Sequence, residues 1–293
     1  MLVYWSLFLF LSLLSLFETF LKNNKQLYLI LFITFVFISG FRYEVGGDWS
    51  TYLNYYNFFN NLNLIDFFKN SNLLTHDIGY LLLNFIFNKL SLTIISVNFV
   101  SAFIFCFGLF KYCSLFERKY LALLTSFPYL YLVVSMGYTR QSIAIGLTLL
   151  AIEKLSKEKE NWFLYILFIS FLFHKSSIIL LLVYFISLII THNFFVINKT
   201  KILITFILMV LITYFTYDLI FEKIFHYFLT DYDSKGILPR IILLLMGLFP
   251  TLIFLIVNKN FNIKLRNFYF ISIFFVIILF NLYILFPQNG DAA

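Results

Sequence analysis

Charged residues are scarce in this sequence. Only 12% of its 293 residues are Asp, Glu, Lys or Arg, and 62% are hydrophobic, whereas an average soluble domain has about 25% charged residues. A water-soluble globule of this composition could not cover its surface with polar groups, so the composition excludes an ordinary soluble domain. With 4 prolines and 10 glycines, the sequence is not that of a linker-rich or disordered chain either.

Cysteine is also rare, and the two cysteines indicate neither a disulfide framework nor a metal site. Cys106 and Cys113 lie in, or at the end of, one apolar run. On a helix they share a face about 10 Å apart along the axis, which is too far for a disulfide bond. We interpret them as small core residues.

Apolar and aromatic residues are abundant, and they occur in long runs with the charges gathered between them. The mean hydropathy is +0.92, and Phe alone occurs 42 times. Because irregular backbone cannot face lipid, this pattern predicts an all-α, polytopic membrane protein of about ten transmembrane helices, several of them short or broken. We expect one membrane domain over residues 1–293.

The predicted spans follow the apolar runs. Residues 78–88 form an extra apolar segment that is shorter than the roughly 20 residues of a full span, so they are predicted to be a dip or an interfacial helix. The ten spans are 3–20, 27–41, 92–110, 120–135, 139–155, 161–173, 176–191, 202–217, 240–257 and 268–286.

The net charge of +7 is distributed unequally between the two sides of the predicted bundle. Loops near Lys25, 111–119, 153–160, 199–201 and 259–266 hold the excess of positive charge, whereas the alternate loops are slightly acidic overall. The positive-inside rule places the first set in the cytoplasm and the second set outside. Because the basic residues are scattered over short loops, no nucleic-acid partner is indicated.

The predicted outer loops contain most of the polar residues that interrupt apolar runs. Taken singly, an Arg at a helix end snorkels to headgroups and a Tyr belongs to the interfacial belt. Together, three arginines, two or three acids and a His predict a cationic pocket with a base, since Arg suits bidentate phosphate contacts. The outer segments are 41–49 followed by Tyr52, Tyr55 and Tyr56, then 75–80, 136–142, 174–177 and Arg240.

Three of these segments, in order, resemble signature blocks of the EpsG family, which are Wzy-like bacterial polysaccharide or O-antigen polymerases. The resemblance extends through almost the whole chain. Asp77-Ile78-Gly79-Tyr80 and Arg240 are similar to weaker blocks of the family. The main blocks are Phe41-Arg42-Tyr43-x-Val45-Gly46-x-Asp48 with Tyr52 four residues on, Tyr138-x-Arg140-Gln141-Ser142-Ile143-Ala144, and Phe173-His174-Lys175-Ser176-Ser177.

The sequence departs from the family pattern at its C-terminus. Family members usually continue past a Phe-Pro-x-x-x-x-Ala-Ala-like stretch into another Arg-bearing helix, whereas this sequence stops at Ala293, shortly after Phe286-Pro287. We therefore expect a C-terminally truncated member of the family.

The resemblance implies both architecture and activity. It implies the organisation of large lipid-linked glycosyltransferases and O-antigen ligases, in the bacterial inner (cytoplasmic) membrane, with the active site facing the periplasm or the cell exterior. The implied reaction polymerises undecaprenyl-diphosphate-linked oligosaccharide repeats into exopolysaccharide, capsule or O-antigen. The implied partners are this lipid-linked oligosaccharide, membrane lipid, and assembly proteins such as a flippase or a chain-length regulator.

The resemblance also suggests roles for individual residues. Arg140 and Arg240 are assigned to the diphosphate, and Arg42 to the diphosphate or to orienting Asp48. The base is His174 or Asp48, with a slight preference for His174 because imidazole exchanges protons near neutral pH. The residues assigned to sugar or acceptor binding are Tyr52, Tyr55, Tyr138, Gln141 and Asp77.

No cofactor is expected, because the arginines supply the positive charge that a metal would otherwise provide. Asp48, Glu44 and Asp77 are nevertheless oxygen ligands of the kind that a divalent cation takes. Because the arginines already supply this charge, we favour a metal-independent glycosyltransferase.

Two other functions stay open. A lipid-phosphate-dependent glycosyltransferase that adds a single sugar would use the same chemistry and differs in product length. A transporter of a lipid-linked glycan would also use broken helices and buried charges, but it needs an inward-opening path. An intramembrane serine protease is poorly supported, because Ser176 and Ser177 beside His174 are not in a nucleophile turn.

Overall fold

The computed structural model describes residues 2–21, 24–46, 48–61, 77–191 and 266–274, with the single positions 63, 67 and 277. All regular structure in these residues is helical, which confirms the predicted all-α class. The chain divides into two compact units, Met1–Ile178 and Ile179–Ala293. The predicted spans 202–217 and 240–257, and most of 268–286, lie outside the described residues.

The first unit contains most of the described helices. A π-helix, Phe127–Ser135, joins α7 to the short break before α8, and 3₁₀ turns cover Phe59–Asn61 and Lys175–Ser177. The second unit contains most of α10 and the helical residues 266–274. The α-helices are α1 Leu2–Leu16, α2 Glu18–Leu21, α3 Lys25–Gly40, α4 Trp49–Phe58, α5 Ile78–Lys89, α6 Ile94–Cys113, α7 Lys119–Ser126, α8 Thr139–Ser156, α9 Glu160–Phe173 and α10 Ile178–Thr191.

Helix α4 was not predicted, because the sequence reading treated residues 42–77 as an outer loop. Its segment is too polar for a membrane span, but Tyr52 and Tyr56, four residues apart, are buried on one face. The Tyr56 hydroxyl donates to the Leu92 carbonyl, and Asn88 Nδ2 donates to the Tyr56 carbonyl over 3.1 Å. Packing against α5 therefore stabilises α4, and a search for apolar runs does not detect such a helix.

Two predicted spans are broken in the structure. The segment 3–20 divides at Phe17 into α1 and α2, with Glu18 buried. The segment 120–135 begins as α7 and continues as the π-helix from Phe127 onward. Pro128 lies at the start of that wider helix, where its missing N–H removes a hydrogen bond of the regular α-helical ladder.

Helix α6 is central to the first unit and packs against both α3 and α8, while α8 also packs against α9. Gly108 of α6 and Gly146 of α8 make the closest approach. A Cβ atom at Gly108 would lie 1.8 Å from the Gly146 carbonyl oxygen, so only glycine fits at this crossing. The surrounding core is aromatic, and the Tyr131 hydroxyl donates to the Phe35 carbonyl over 2.8 Å.

The loops of the first unit gather at two ends. At one end, the Glu18 carboxylate accepts hydrogen bonds from the Tyr120 and Leu121 amides, at 2.8 and 3.2 Å, and so caps the start of α7. Helix α3 leads from this end to the other, where residues 42–46 meet residues 135–139. The sequence reading assigned these two groups of loops to opposite faces of a membrane.

By length and composition, α6 is the described helix that is long and apolar enough to cross a membrane. It is partly buried inside the protein. The shorter apolar helices among the described residues are Leu2–Leu16, Lys25–Gly40, Glu160–Phe173 and Lys175–Ser187.

Candidate functional site

Four polar segments of the first unit meet at one end of the helices, which we call the polar end. It is formed by residues 42–46, Asp77, residues 135–140 and residues 174–177. Asp77 immediately precedes α5, Arg140 is the second residue of α8, and His174 immediately follows α9. Each functional side chain is therefore positioned by a helix terminus.

Asp77 is at the centre of this end. Its Oδ2 atom lies 3.1 Å from Nη1 of Arg140 and 3.5 Å from Nδ1 of His174. Its Oδ1 atom accepts a hydrogen bond of 3.3 Å from the Lys175 backbone N–H. Asp77 is only 8% exposed, so its carboxylate links the arginine to the histidine within the protein and out of bulk water.

Competing effects determine the ionisation of Asp77. Burial raises the pKa of its carboxyl group, but the hydrogen bond and charge of His174, the charge of Arg140 and the Lys175 N–H together outweigh burial. The pKa of Asp77 is therefore held below its ordinary value. Asp77 is a carboxylate at neutral pH and serves as the anion of the site.

The histidine presents a defined face to this carboxylate. The ring atom of His174 that contacts Asp77 is Nδ1. A neutral imidazole that donates its Nδ1 proton to the carboxylate keeps a free lone pair on Nε2. A carboxylate that holds a histidine in this tautomer is the arrangement of catalytic triads. The Nδ1 to Oδ2 distance of 3.5 Å is at the long end for such a contact, as is common before a substrate tightens it.

Tyrosines of α4 line the other side of Arg140. The guanidinium carbon lies 5.8 Å from the ring centre of Tyr52 and 5.9 Å from that of Tyr55, within the range of cation–π contacts. Tyr52 is buried, whereas Tyr55 is half-buried. Two tyrosines predicted from the sequence to bind sugar therefore lie beside a predicted diphosphate ligand.

The other predicted sugar-binding residues lie close in sequence to Arg140. Tyr138 immediately precedes α8 and Gln141 is in its first turn, and both are half-buried. Arg240 lies outside the described residues. The predicted roles of these three residues stay predictions.

Arg42 and Asp48 are not paired with each other, although one of the two roles that the sequence suggested for Arg42 was to orient Asp48. Arg42 is only 5% exposed, and it donates to the Ser135 carbonyl and, over 2.6 Å, to the Thr139 hydroxyl. Asp48 is at the N-terminus of α4 and forms no ion pair within the described residues. In the structure, the carboxylate that contacts both an arginine and the histidine is Asp77.

The alternative of a divalent cation held by Asp48, Glu44 and Asp77 finds no matching arrangement in the described part of the chain. No group of three or more His, Cys, Asp or Glu side chains there is placed to hold a metal ion. Both oxygens of Asp77 already have nitrogen partners.

Sequence reasoning underestimated two features of the site. Asp77 was assigned to sugar binding, or with Asp48 and Glu44 to a divalent cation, and not to the pairing of Arg140 with His174. An Asp directly before an apolar helix is a signal for a helix N-terminus, and helix termini are where these polar groups meet. The contact between Gly46 and Gly137 was also missed. Gly46 has φ +102°, and a Cβ atom there would lie 2.8 Å from the Gly137 Cα atom. Glycine at position 46 lets the loop approach the break before α8.

The lowered pKa of Asp77 predicts a pH-dependent stability. A carboxyl group whose pKa is lowered by folding stabilises the folded protein above its unfolded pKa, and this stabilisation is lost as the pH falls through the folded value. We expect Asp77→Asn to lower the melting temperature near neutral pH, and the deficit to shrink below about pH 4. Thermal unfolding in detergent at several pH values measures this.

Asp48→Asn is the matched control, because Asp48 forms no ion pair in the described structure. Its melting temperature should follow that of the wild type throughout. A deficit for Asp77→Asn that stays constant with pH would contradict the assignment.

The fold and the site together define an all-α protein in which a buried carboxylate joins a half-buried arginine and a half-buried imidazole where helix termini meet. The model of the EpsG family matches residues 25–289, and the chain belongs to the EpsG family. The expected family is therefore confirmed. Neither a curated protein nor a solved structure matches the chain. The family consists of membrane proteins associated with polysaccharide biosynthesis as glycosyltransferase-like polymerases.

Proposed function

We propose that this protein polymerises undecaprenyl-diphosphate-linked oligosaccharide repeats at the outer face of the bacterial cytoplasmic membrane. The product is exopolysaccharide, capsule or O-antigen. Family membership supports a polymerase-like role. The structural observation that carries the proposal is Asp77, which joins an anion-binding side chain, Arg140, to a general base, His174.

The reaction is a glycosyl transfer in which one bond forms as another breaks. An acceptor sugar hydroxyl attacks the anomeric carbon of the donor repeat, and the lipid diphosphate leaves with the bonding electrons. Nε2 of His174 takes the hydroxyl proton, with the ring oriented by Asp77. Arg140 neutralises the charge that develops on the departing diphosphate. This electrostatic stabilisation is the larger contribution to lowering the barrier.

The environment of Arg140 suits this role. Its side chain is 27% exposed, so part of the guanidinium fork stays accessible while Nη1 contacts Asp77. A fork of N–H donors matches the oxygens of a phosphate better than a point charge does. Tyr52 and Tyr55 hold the guanidinium plane from the other side, and Tyr55 is exposed enough to stack on a sugar ring. Arg240 is the second diphosphate ligand proposed from the sequence.

The surface of the helices supports a polytopic membrane protein. Polar side chains such as Ser101, Ser142 and Ser170 are buried between helices, and Ser101 and Ser142 hydrogen-bond to each other at 2.7 Å. Such hydrogen bonds between helices are typical of membrane bundles. A large exposed apolar surface is unfavourable in water and is favourable in contact with lipid. Large exposed apolar residues include Leu9, Leu13, Leu16, Ile30, Ile33, Phe37, Trp162, Tyr165, Phe168 and Ile169.

The orientation in the membrane is testable by labelling single cysteines in intact cells. On a background without Cys106 and Cys113, a membrane-impermeant maleimide is expected to label a cysteine at Asp48 and to leave cysteines at Lys25 and Lys157 unlabelled until the cells are opened. Permeabilised cells provide the control for reactivity. Labelling of position 157 from outside would overturn the proposed orientation.

The activity is testable with purified protein in lipid nanodiscs. A synthetic undecaprenyl-diphosphate repeat unit is the substrate, and we expect a ladder of products on a gel. Arg140→Ala should lose the ladder and donor binding. Arg118→Ala is the matched control, because Arg118 is exposed just before α7 at the opposite end of the first unit, and it should retain both.

The same assay separates the alternative functions. A single added sugar would identify a glycosyltransferase that does not polymerise. Passage of the lipid-linked glycan across a vesicle membrane without a covalent product would identify a transporter. Either result would overturn the polymerase proposal.

A further inference from the structure

We propose that Arg42 is a positioning residue that holds the break between the π-helix and α8 and thereby places Arg140. The sequence reading gave Arg42 a direct contact with the diphosphate or with Asp48. The assignment of a role in donor binding rests on the proposed function, because it depends on Arg140 being the diphosphate ligand. The contact itself does not depend on that function.

The contacts of Arg42 extend across the break. Its Nη1 atom donates to the carbonyl of Ser135, the last residue of the π-helix, and its Nη2 atom donates over 2.6 Å to the hydroxyl of Thr139, the first residue of α8. One planar guanidinium therefore binds both sides of the interruption. Arg140 is the next residue along the chain, so its backbone position is determined by the geometry at Thr139.

The break needs such a partner. The last carbonyls of a helix lack partners within the helix and carry the negative end of its dipole, so a buried cation there is stabilised. Burial lowers the pKa of Arg42 to about 10, which still leaves the side chain charged at neutral pH. A buried charge is costly unless it is bonded. Both terminal nitrogens of Arg42 are bonded to the two sides of the break, whereas its buried Nε atom has no hydrogen-bond partner among the described residues.

Further contacts hold the same segment. Ser101 of α6 donates to the Thr139 carbonyl over 3.1 Å. The backbone of Gly46, four residues after Arg42, lies against Gly137, the residue just before the non-helical Tyr138. The start of α8 is thus held from α6 on one side and from the Arg42 loop on the other.

The geometry disfavours direct binding of phosphate by Arg42. The residue is 5% exposed. To bind a diphosphate, the guanidinium would have to give up its bonds to Ser135 and Thr139 and so release the break. Arg140, with 27% of its side chain exposed, requires no such exchange.

Variants at the two ends of one hydrogen bond test this proposal. Arg42→Lys keeps the charge but has a single nitrogen that cannot span both acceptors. Thr139→Val removes the acceptor hydroxyl and keeps the side-chain shape, whereas Thr139→Ser keeps the hydroxyl. Hydrogen–deuterium exchange of residues 136–142 in nanodiscs, without substrate, is the first readout, and the KM for the lipid-linked donor is the second.

We expect Arg42→Lys and Thr139→Val each to accelerate exchange in residues 136–142 without changing exchange in α6. Each should raise the donor KM by about tenfold, with a smaller effect on kcat, as loss of a hydrogen bond to a charged group would. The double variant should be no worse than the more severe single variant, because both remove the same contact. Thr139→Ser should behave as the wild type.

Each other outcome is decisive. Unchanged exchange in both Arg42→Lys and Thr139→Val would overturn the proposal. A raised donor KM in Arg42→Lys with a normal KM in Thr139→Val would also overturn it and identify Arg42 as a direct ligand. A lower yield of folded protein with an unchanged donor KM would reduce Arg42 to a structural residue. If both variants accelerate exchange but the wild-type protein has no polymerase activity, the Arg42 contact is supported and the proposed function is overturned instead.

Discussion

Arg140→Lys is expected to abolish polymer formation although it keeps the positive charge. In the structure, the guanidinium contacts Asp77 at 3.1 Å and lies over the rings of Tyr52 and Tyr55. A lysine ammonium is a point charge that cannot contact Asp77, keep the cation–π contacts with both rings and bind two phosphate oxygens at once. Removal of one preorganised donor to a developing oxyanion typically costs about 10²–10³ in kcat, so product should fall below detection on a gel.

The measurement is ladder formation from the purified lipid-linked repeat by equal amounts of folded protein. Arg118→Lys, at the opposite end of the first unit, is the matched control and should polymerise normally. The sequence predicts the same loss for Arg240→Lys. Full-length polymer made by a well-expressed Arg140→Lys variant would exclude bidentate phosphate binding by this residue.

His174→Ala is expected to stop glycosyl transfer while leaving donor binding nearly intact. The imidazole faces Asp77 through Nδ1, so its proposed contribution is the proton acceptor Nε2 and not a charge for the diphosphate. Loss of a general base typically costs about 10²–10⁴ in rate. Transfer in a single-turnover assay and binding of the lipid-diphosphate donor are measured separately.

Asp77→Asn and Asp48→Asn separate the two carboxylates in the same assay. Asp77→Asn should slow transfer because the amide no longer holds His174 as a carboxylate does, whereas Asp48→Asn should preserve the rate if His174 is the base. Normal turnover by His174→Ala would remove the histidine from the mechanism. A loss of transfer in Asp48→Asn alone would move the base to Asp48.

The burial of Asp77 in its ion pair with the half-buried Arg140 favours a functional role over a stabilising one. The attraction within a buried ion pair usually does no more than offset the free-energy cost of desolvating the two charges. Apolar side chains in the same place would often stabilise a protein at least as well. Buried charges with a shifted pKa are instead characteristic of sites where charge has to be placed for chemistry. Asp77 matches this description, because it is 8% exposed and its pKa is lowered despite burial.

The amino-acid sequence was sufficient to predict the all-α class, the family and the approximate positions of several described helices, but not α4. The span predicted at 92–110, for example, is α6, Ile94–Cys113, and the short segment 78–88 is α5, Ile78–Lys89. These features are local, because the length of an apolar run and the polar residues that interrupt it are readable along the chain.

Only the tertiary structure decided which polar groups meet. Asp77 joins Arg140 across 63 positions and His174 across 97, while Arg42 bonds to Ser135 and Thr139 across 93 and 97. Such distances in sequence carry no periodic signal, so sequence reasoning placed these residues at one membrane face without pairing them. The pairings depend on the crossing of α6 with α8 at Gly108 and Gly146 and on the packing of α4 against α5, because these contacts set where each helix terminus lies.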